Sequence, residues 1–167
     1  IKILKELEAD VVYYIPNRIE EGYGLSLNSI DKINEMGVSL IITVDCGIKS
    51  NEEVDYAHGL GIEIIITDHH ECEEELPKAF SIINPHQPGC SYPFKDLAGV
   101  GVAFKLIQAL LIRIDRSPYA EELLDIVTIG TIADVVPLLG ENRTIVKNGL
   151  LKIRNSNNQG IKALLTV

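Results

Sequence analysis

Asp68-His69-His70 follows directly on the apolar run Ile62-Glu63-Ile64-Ile65-Ile66-Thr67, in a chain of 167 residues with only four histidines. Packing does not select a carboxylate beside two imidazoles, because each group costs free energy to strip of water. Asp45 closes the earlier run Leu40-Ile41-Ile42-Thr43-Val44 in the same way. Asp134 stands in Ile129-Gly130-Thr131-Ile132-Ala133-Asp134-Val135-Val136-Pro137-Leu138, otherwise free of charge, where a carboxylate calls for a counter-charge. Carboxylates and imidazoles together suit Mn2+ or Mg2+, whereas thiolates would select zinc. The chemistry expected is a divalent-ion site built from Asp45, His69 and Asp134.

Each residue also has a plainer reading. Asp45-Cys46-Gly47 suits an Asx-turn, and Asp134 can bond to backbone near Pro137. Asp68 could cap a helix and leave both imidazoles half exposed. A zinc site from His69, His70, Cys72 and Cys90 matches no common ligand spacing, and it leaves Asp45, Asp68 and Asp134 without a role. The three acidic positions taken together are far more specific than any one.

The elements that must position these residues follow from periodicity. Val11–Ile15, Leu40–Val44, Ile62–Thr67 and Phe80–Ile83 read as strands. Helical segments at 28–36 and 51–60 separate the first three, with Asn51 as an N-cap and Gly37 and Gly61 as stops. Such alternation predicts an α/β fold, a parallel β-sheet flanked by helices. Parallel strands would bring Asp45 and Asp68 out at one edge, where open α/β sheets take their ligands. After an irregular loop at 86–95 the chain reads as a helical segment. Its helices are expected at 102–114, from Tyr119 to Ile132 behind Pro118, and at 142–154, with a polar connector at 155–160.

Several further residues could touch a phosphate. Arg18, in Pro16-Asn17-Arg18 at the end of the first run, could grip one bidentately. A solvated surface arginine is the alternative there, and Arg143 invites the same comparison. Gly99-Val100-Gly101-Val102-Ala103-Phe104 lacks the third glycine and the preceding strand of a dinucleotide fingerprint. Glycines that open a helix can present N–H groups to a phosphate, yet small residues there serve close packing equally well. His86 lies between Pro85 and Gln87 in an environment the sequence does not define.

Composition sets the frame. Hydrophobic residues make 46% and charged residues 23%, as in ordinary globular domains. The net charge of −9 gives no overall electrostatic footprint for nucleic acid. Cys46, Cys72 and Cys90 are odd in number and show no paired spacing, which points to a reducing, cytoplasmic compartment. No apolar run approaches the ~20 residues of a membrane span, and none reads as a signal peptide.

Taken together, these residues resemble the DHH phosphoesterase superfamily, and within it the RecJ-type exonucleases specific for single strands. The matching segments are Tyr14-Ile15-Pro16-Asn17-Arg18, Glu21-Gly22-Tyr23-Gly24-Leu25, Thr43-Val44-Asp45-Cys46-Gly47 and Thr67-Asp68-His69-His70. They continue with Asn84-Pro85-His86, Gly99 to Leu106, Gly130 to Leu138 and Gly140-Glu141-Asn142-Arg143.

The resemblance implies hydrolysis of single-stranded DNA from the 5′ end, with release of mononucleotides, in recombination and repair. It implies two Mn2+ or Mg2+ ions, with Asp45 bridging them and His69 and Asp134 binding one of them. Asp68 would orient His69, and His70 would contact the scissile phosphate. Asn17, Arg18, His86, Gly99, Gly101 and Arg143 would line the substrate path. Repair proteins such as a helicase or a single-strand-binding protein are the implied partners.

Two other readings stand beside this one. The first is a DHH phosphoesterase for short oligonucleotides, cyclic dinucleotides or pyrophosphate. The second is a non-catalytic replication or repair scaffold with a decayed site, against which Asp45, His69 and Asp134 count.

Both ends of the chain look cut. Residues 1–154 are expected to form a DHH catalytic domain lacking its first acidic motif. Residues 155–167 would begin a connection to a second domain. Without that first motif, the chain alone is expected to bind Mn2+ weakly and to digest little or no DNA. Robust manganese-dependent digestion of single strands by the isolated 167 residues would contradict this.

Overall fold

The computed structural model describes residues 1–19 and 21–166. Strands β1 (Leu40–Val44), β2 (Glu63–Thr67) and β3 (Ser81–Ile83) form a parallel sheet in the order β1-β2-β3. Around it lie α1 (Lys2–Glu6), α2 (Leu27–Glu35), α3 (Asn51–Gly59) and α4 (Gly99–Arg113). A 3-10 turn (Ser117–Leu123) then leads into α5 (Leu124–Ala133), α6 (Gly140–Ile153) and α7 (Gln159–Leu164). The α/β class and the helical second part are those the sequence leads one to expect.

The near-continuous apolar strands have a simple cause, since both faces of the sheet are covered. On one face Ile41 of β1 and Ile64 and Ile66 of β2 are buried with Ile30 and Ile33 of α2 and with Val54 and Ala57 of α3. On the other, Ile83 of β3 packs into a second core with Val102 and Phe104 of α4, Val127 of α5 and Ile145 of α6. Each buried isoleucine contributes about 1.5–3 kcal/mol, so the two clusters together clamp the sheet. Helix α5, which ends at Asp134, lies close on α6 because Gly149 carries no side chain. A Cβ there would overlap the Thr128 hydroxyl and the Leu124 carbonyl.

Four local expectations need correction. Val11–Ile15 is not a strand, and Val12, Tyr13 and Ile15 are exposed. A β-branched run forms a strand only where it finds a ladder partner and a buried face; here Tyr14 packs against the first core while three of its neighbours face solvent. Ser50, not Asn51, occupies the N-cap of α3, and Asn51 Nδ2 donates instead to the Glu75 carbonyl at 3.3 Å. The helix expected from Tyr119 to Ile132 is broken into the 3-10 turn and α5.

The last correction concerns the connector. Gln159 and Gly160 are helical, because Asn158 Oδ1 accepts from the N–H groups of Gly160 and Ile161 and so starts α7. Ser156 Oγ donates to the buried Asp125 carboxylate, which holds this segment on α5. Val167, the last residue of the expected connecting segment, lies outside the described residues. Among the described residues no helix is long and apolar enough to cross a membrane.

Candidate metal centre

The parallel ladder runs one step past the strands, as Asp45 N donates to Thr67 O at 2.9 Å and Asp68 N to Ile83 O at 3.1 Å. Asp45 and Asp68 therefore leave the sheet side by side at its carboxyl edge. Asp45 holds a left-handed backbone, with φ at 65°. That conformation costs an L-residue about 1–2 kcal/mol and is tolerated best by Asp, Asn and Gly. Gly47 follows at φ 109°, with Thr43 Oγ1 donating to the Cys46 carbonyl across the turn.

Helix α4 begins directly over this turn. A Cβ on Gly99 would overlap the Asp45 carboxylate, so only glycine lets the helix start there. Its N-cap, Ala98, offers no side-chain acceptor. The free N–H groups and the positive end of the helix dipole are thus available to the neighbouring carboxylate.

His69 Nε2 lies 3.1 Å from Asp45 Oδ1 and 3.4 Å from Asp134 Oδ2. Neither approach has hydrogen-bond alignment, so His69 Nε2 and Asp45 Oδ1 are both buried without a partner among the described residues. The Asp45 carboxylate, with the Asp134 charge behind it, raises the proton affinity of His69 against the opposing effect of burial. The imidazole nitrogen thus has a carboxylate oxygen on either hand, and neither Asp45 nor Asp134 pairs with a lysine or arginine among the described residues. Adjacent ligands of an octahedral ion with bonds of 2.0–2.1 Å stand about 3 Å apart, so the donor set fits a hard divalent cation. Burial, followed by the charges of Asp68 and Asp45, pushes the Cys46 thiol up to about 11.

Asp45, His69 and His70 each bring one ligand atom within 4.8 Å of the others. The His70 ring, however, is already engaged, with Nδ1 2.6 Å from Asp68 Oδ1. Here the structure corrects the sequence reading, because Asp68 orients the His70 ring and not that of His69. The Asp68 carboxylate also accepts from the N–H groups of His69 (2.7 Å), His70 (3.2 Å) and Ile48 (3.0 Å). Burial alone would raise its pKa; the Ile48 N–H and the His70 and His69 bonds outweigh it and hold Asp68 below the ordinary carboxylate range.

The remaining candidates separate clearly. Arg18 places its guanidinium 5.9 Å from the Tyr23 ring centroid, beside the site. Asn17 Oδ1 accepts from Ile19 N at 3.1 Å and shapes the turn that carries Arg18. His86 Nδ1 is 3.2 Å from Glu71 Oε1. Gly101 is buried against Leu97, where the packing alternative applies. Arg143 is exposed on α6 and forms no ion pair among the described residues.

Two residues went unassigned in the sequence. Asn84, 2% exposed, donates to the His70 carbonyl at 2.9 Å, and Tyr23 donates to the Asp45 carbonyl. Burial, and then the Asp45 charge, push the Tyr23 phenol up to about 12, so it remains a donor. The only available signal was their place in Asn84-Pro85-His86 and Gly22-Tyr23-Gly24.

Comparison with known proteins adds independent findings. Residues 1–131 match the DHH family, N-terminal domain. The chain is similar to the single-stranded-DNA-specific exonuclease RecJ of Bacillus subtilis, 52% identical over 162 residues, covering 97% of the chain and 20% of that protein. RecJ of Escherichia coli is 46% identical over 170 residues, covering 95% and 30% respectively. A crystal structure of exonuclease RecJ bound to manganese superposes with a TM-score of 0.87 at 38% identity, covering 98% of this chain and 41% of that one. The chain thus spans a fifth to three-tenths of the length of these curated relatives.

The packing of Gly99 yields a test in the full-length protein. Gly99→Ala should lower Mn2+ affinity by about 10–100-fold, the range for disturbing a group that orients a metal ligand. Gly101→Ala meets only the flexible Leu97 side chain, at 3.2 Å, and should leave the affinity unchanged. Isothermal titration of the two variants with Mn2+ distinguishes these outcomes.

Proposed function

The chain belongs to the DHH family, and from that premise we propose that it carries part of the active site of a 5′→3′ exonuclease for single-stranded DNA. The observation that supports this most is the approach of His69 Nε2 to both Asp45 and Asp134, with its buried nitrogen lacking any other partner among the described residues. Asp45, His69 and Asp134 would hold divalent ions, Mn2+ or Mg2+, as the manganese-bound crystal structure of RecJ suggests. Such ions supply Lewis acidity to a phosphate oxygen and lower the pKa of an attacking water.

The other residues of the chain orient and bind. Asp68 takes Nδ1 of His70 and so leaves Nε2, on a ring 45% exposed, facing the phosphate side. Asn84 fixes the backbone of the same residue. Arg18 offers a planar fork of donors to a phosphate one step along the strand. Substrate charge is met locally, which reconciles a polyanionic substrate with a chain of net charge −9.

The same proposal includes work in recombination and repair, in a cytoplasmic compartment that suits three free cysteines. Partners such as a helicase or a single-strand-binding protein rest on the resemblance alone. Residues 155–166 would begin the connection towards a second domain.

In the full-length protein with Mn2+, Asp45→Asn and His69→Ala should each lower the digestion of 5′-labelled single strands. The loss should exceed the roughly 10–100-fold that follows disturbance of outer groups. Wild-type rates in either variant would contradict the proposal. So would cleavage of dinucleotides by an enzyme that leaves long single strands intact.

A further inference from the structure

Glu21-Gly22-Tyr23-Gly24-Leu25 has so far been given no role, yet the loop is firmly built. Glu21 accepts from the Tyr14 hydroxyl on both oxygens, at 2.7 and 2.8 Å, and pairs with Lys32. Gly22 and Gly24 take left-handed conformations, at φ 80° and 84°. This turn brings Gly24 against Cys46 and sets Tyr23, between the two glycines, over the exit of β1.

Tyr23 then meets three functional groups at once. Its hydroxyl donates to the carbonyl of Asp45. Its ring stands edge-on to His70, with centroids 6.0 Å apart and planes at 78°. The Arg18 guanidinium lies 5.9 Å from the ring centroid. The hydroxyl is the only group bonded to the Asp45 carbonyl among the described residues, and Asp45 is held in an unfavourable left-handed backbone. A strained conformation persists only where its surroundings over-determine it.

We propose that Tyr23 is a positioning residue with two separable parts: its hydroxyl locks the backbone of Asp45 so that the carboxylate faces His69, and its ring carries Arg18 above the site. This rests on the reading of Asp45 as an ion ligand. The hydroxyl then governs metal affinity, and the ring governs the grip on DNA.

The two parts come apart in the full-length protein. Mn2+ is titrated by calorimetry without DNA, and kcat and KM are measured on a single-stranded oligonucleotide. Tyr23→Phe removes only the hydroxyl and should weaken Mn2+ binding about tenfold, as outer-shell partners of metal ligands do, with KM unchanged. Tyr23→Ala should show the same Mn2+ loss and, in addition, a KM raised about two- to fivefold through loss of the exposed cation–π contact. Circular dichroism checks that both variants remain folded.

Unchanged Mn2+ affinity in Tyr23→Phe, or equal KM values in the two variants, would overturn the proposal. Asp45→Asn is titrated alongside. If it too leaves Mn2+ affinity unchanged, the ion reading fails; if it weakens binding while Tyr23→Phe does not, only the role of Tyr23 fails.

Discussion

A buried carboxylate organises the chemical edge of this sheet. Asp68 is 1% exposed, and a charge removed from water is tolerated only when its oxygens are saturated with donors. Its donors come from two places. Ile48 belongs to the turn after β1, while His69 and His70 follow β2. Satisfying Asp68 therefore fixes the β1 exit against the β2 exit. Asp45, in the first, and His69, in the second, are brought to face each other as a result.

Around that node the division of labour follows charge and geometry. The His69 Nε2 nitrogen lies between Asp45 Oδ1 and Asp134 Oδ2. The His70 ring is turned away from that task by Asp68. Strain is localised too. Asp45 carries a left-handed backbone, and Val135, next to Asp134, carries another at φ 59°. Left-handed geometry is rare for a β-branched residue and tends to persist where surrounding structure requires it. Both acidic groups that approach His69 thus sit at or beside such a position.

The sheet and its reactive edge were legible in the sequence, because both depend on local pattern. Apolar runs buried on two faces announce β2 and β1, and an acidic residue at the end of each announces the edge. Val11–Ile15 misled because its composition matches a strand while its partner and buried face are tertiary facts. Asn51 misled because the helix starts one residue earlier, with Ser50 at its N-cap, while the Asn51 amide is drawn to the distant Glu75 carbonyl. The choice of His70 over His69 as the partner of Asp68 depends on a ring rotamer, which no spacing rule encodes. Tyr23 and Asn84 act through main-chain carbonyls of residues distant in sequence, so their types alone carried no sign of the role.

The central claim is that one divalent cation is shared by side chains from three separate segments of the chain. Anomalous scattering at the manganese edge, from crystals of the full-length protein grown with Mn2+, addresses it directly. The account predicts a peak bonded to Asp45, His69 and Asp134, with His70 Nδ1 still on Asp68. A cleft without manganese would contradict it, as would an ion bound by His70 in place of Asp134 or by Cys72 and Cys90.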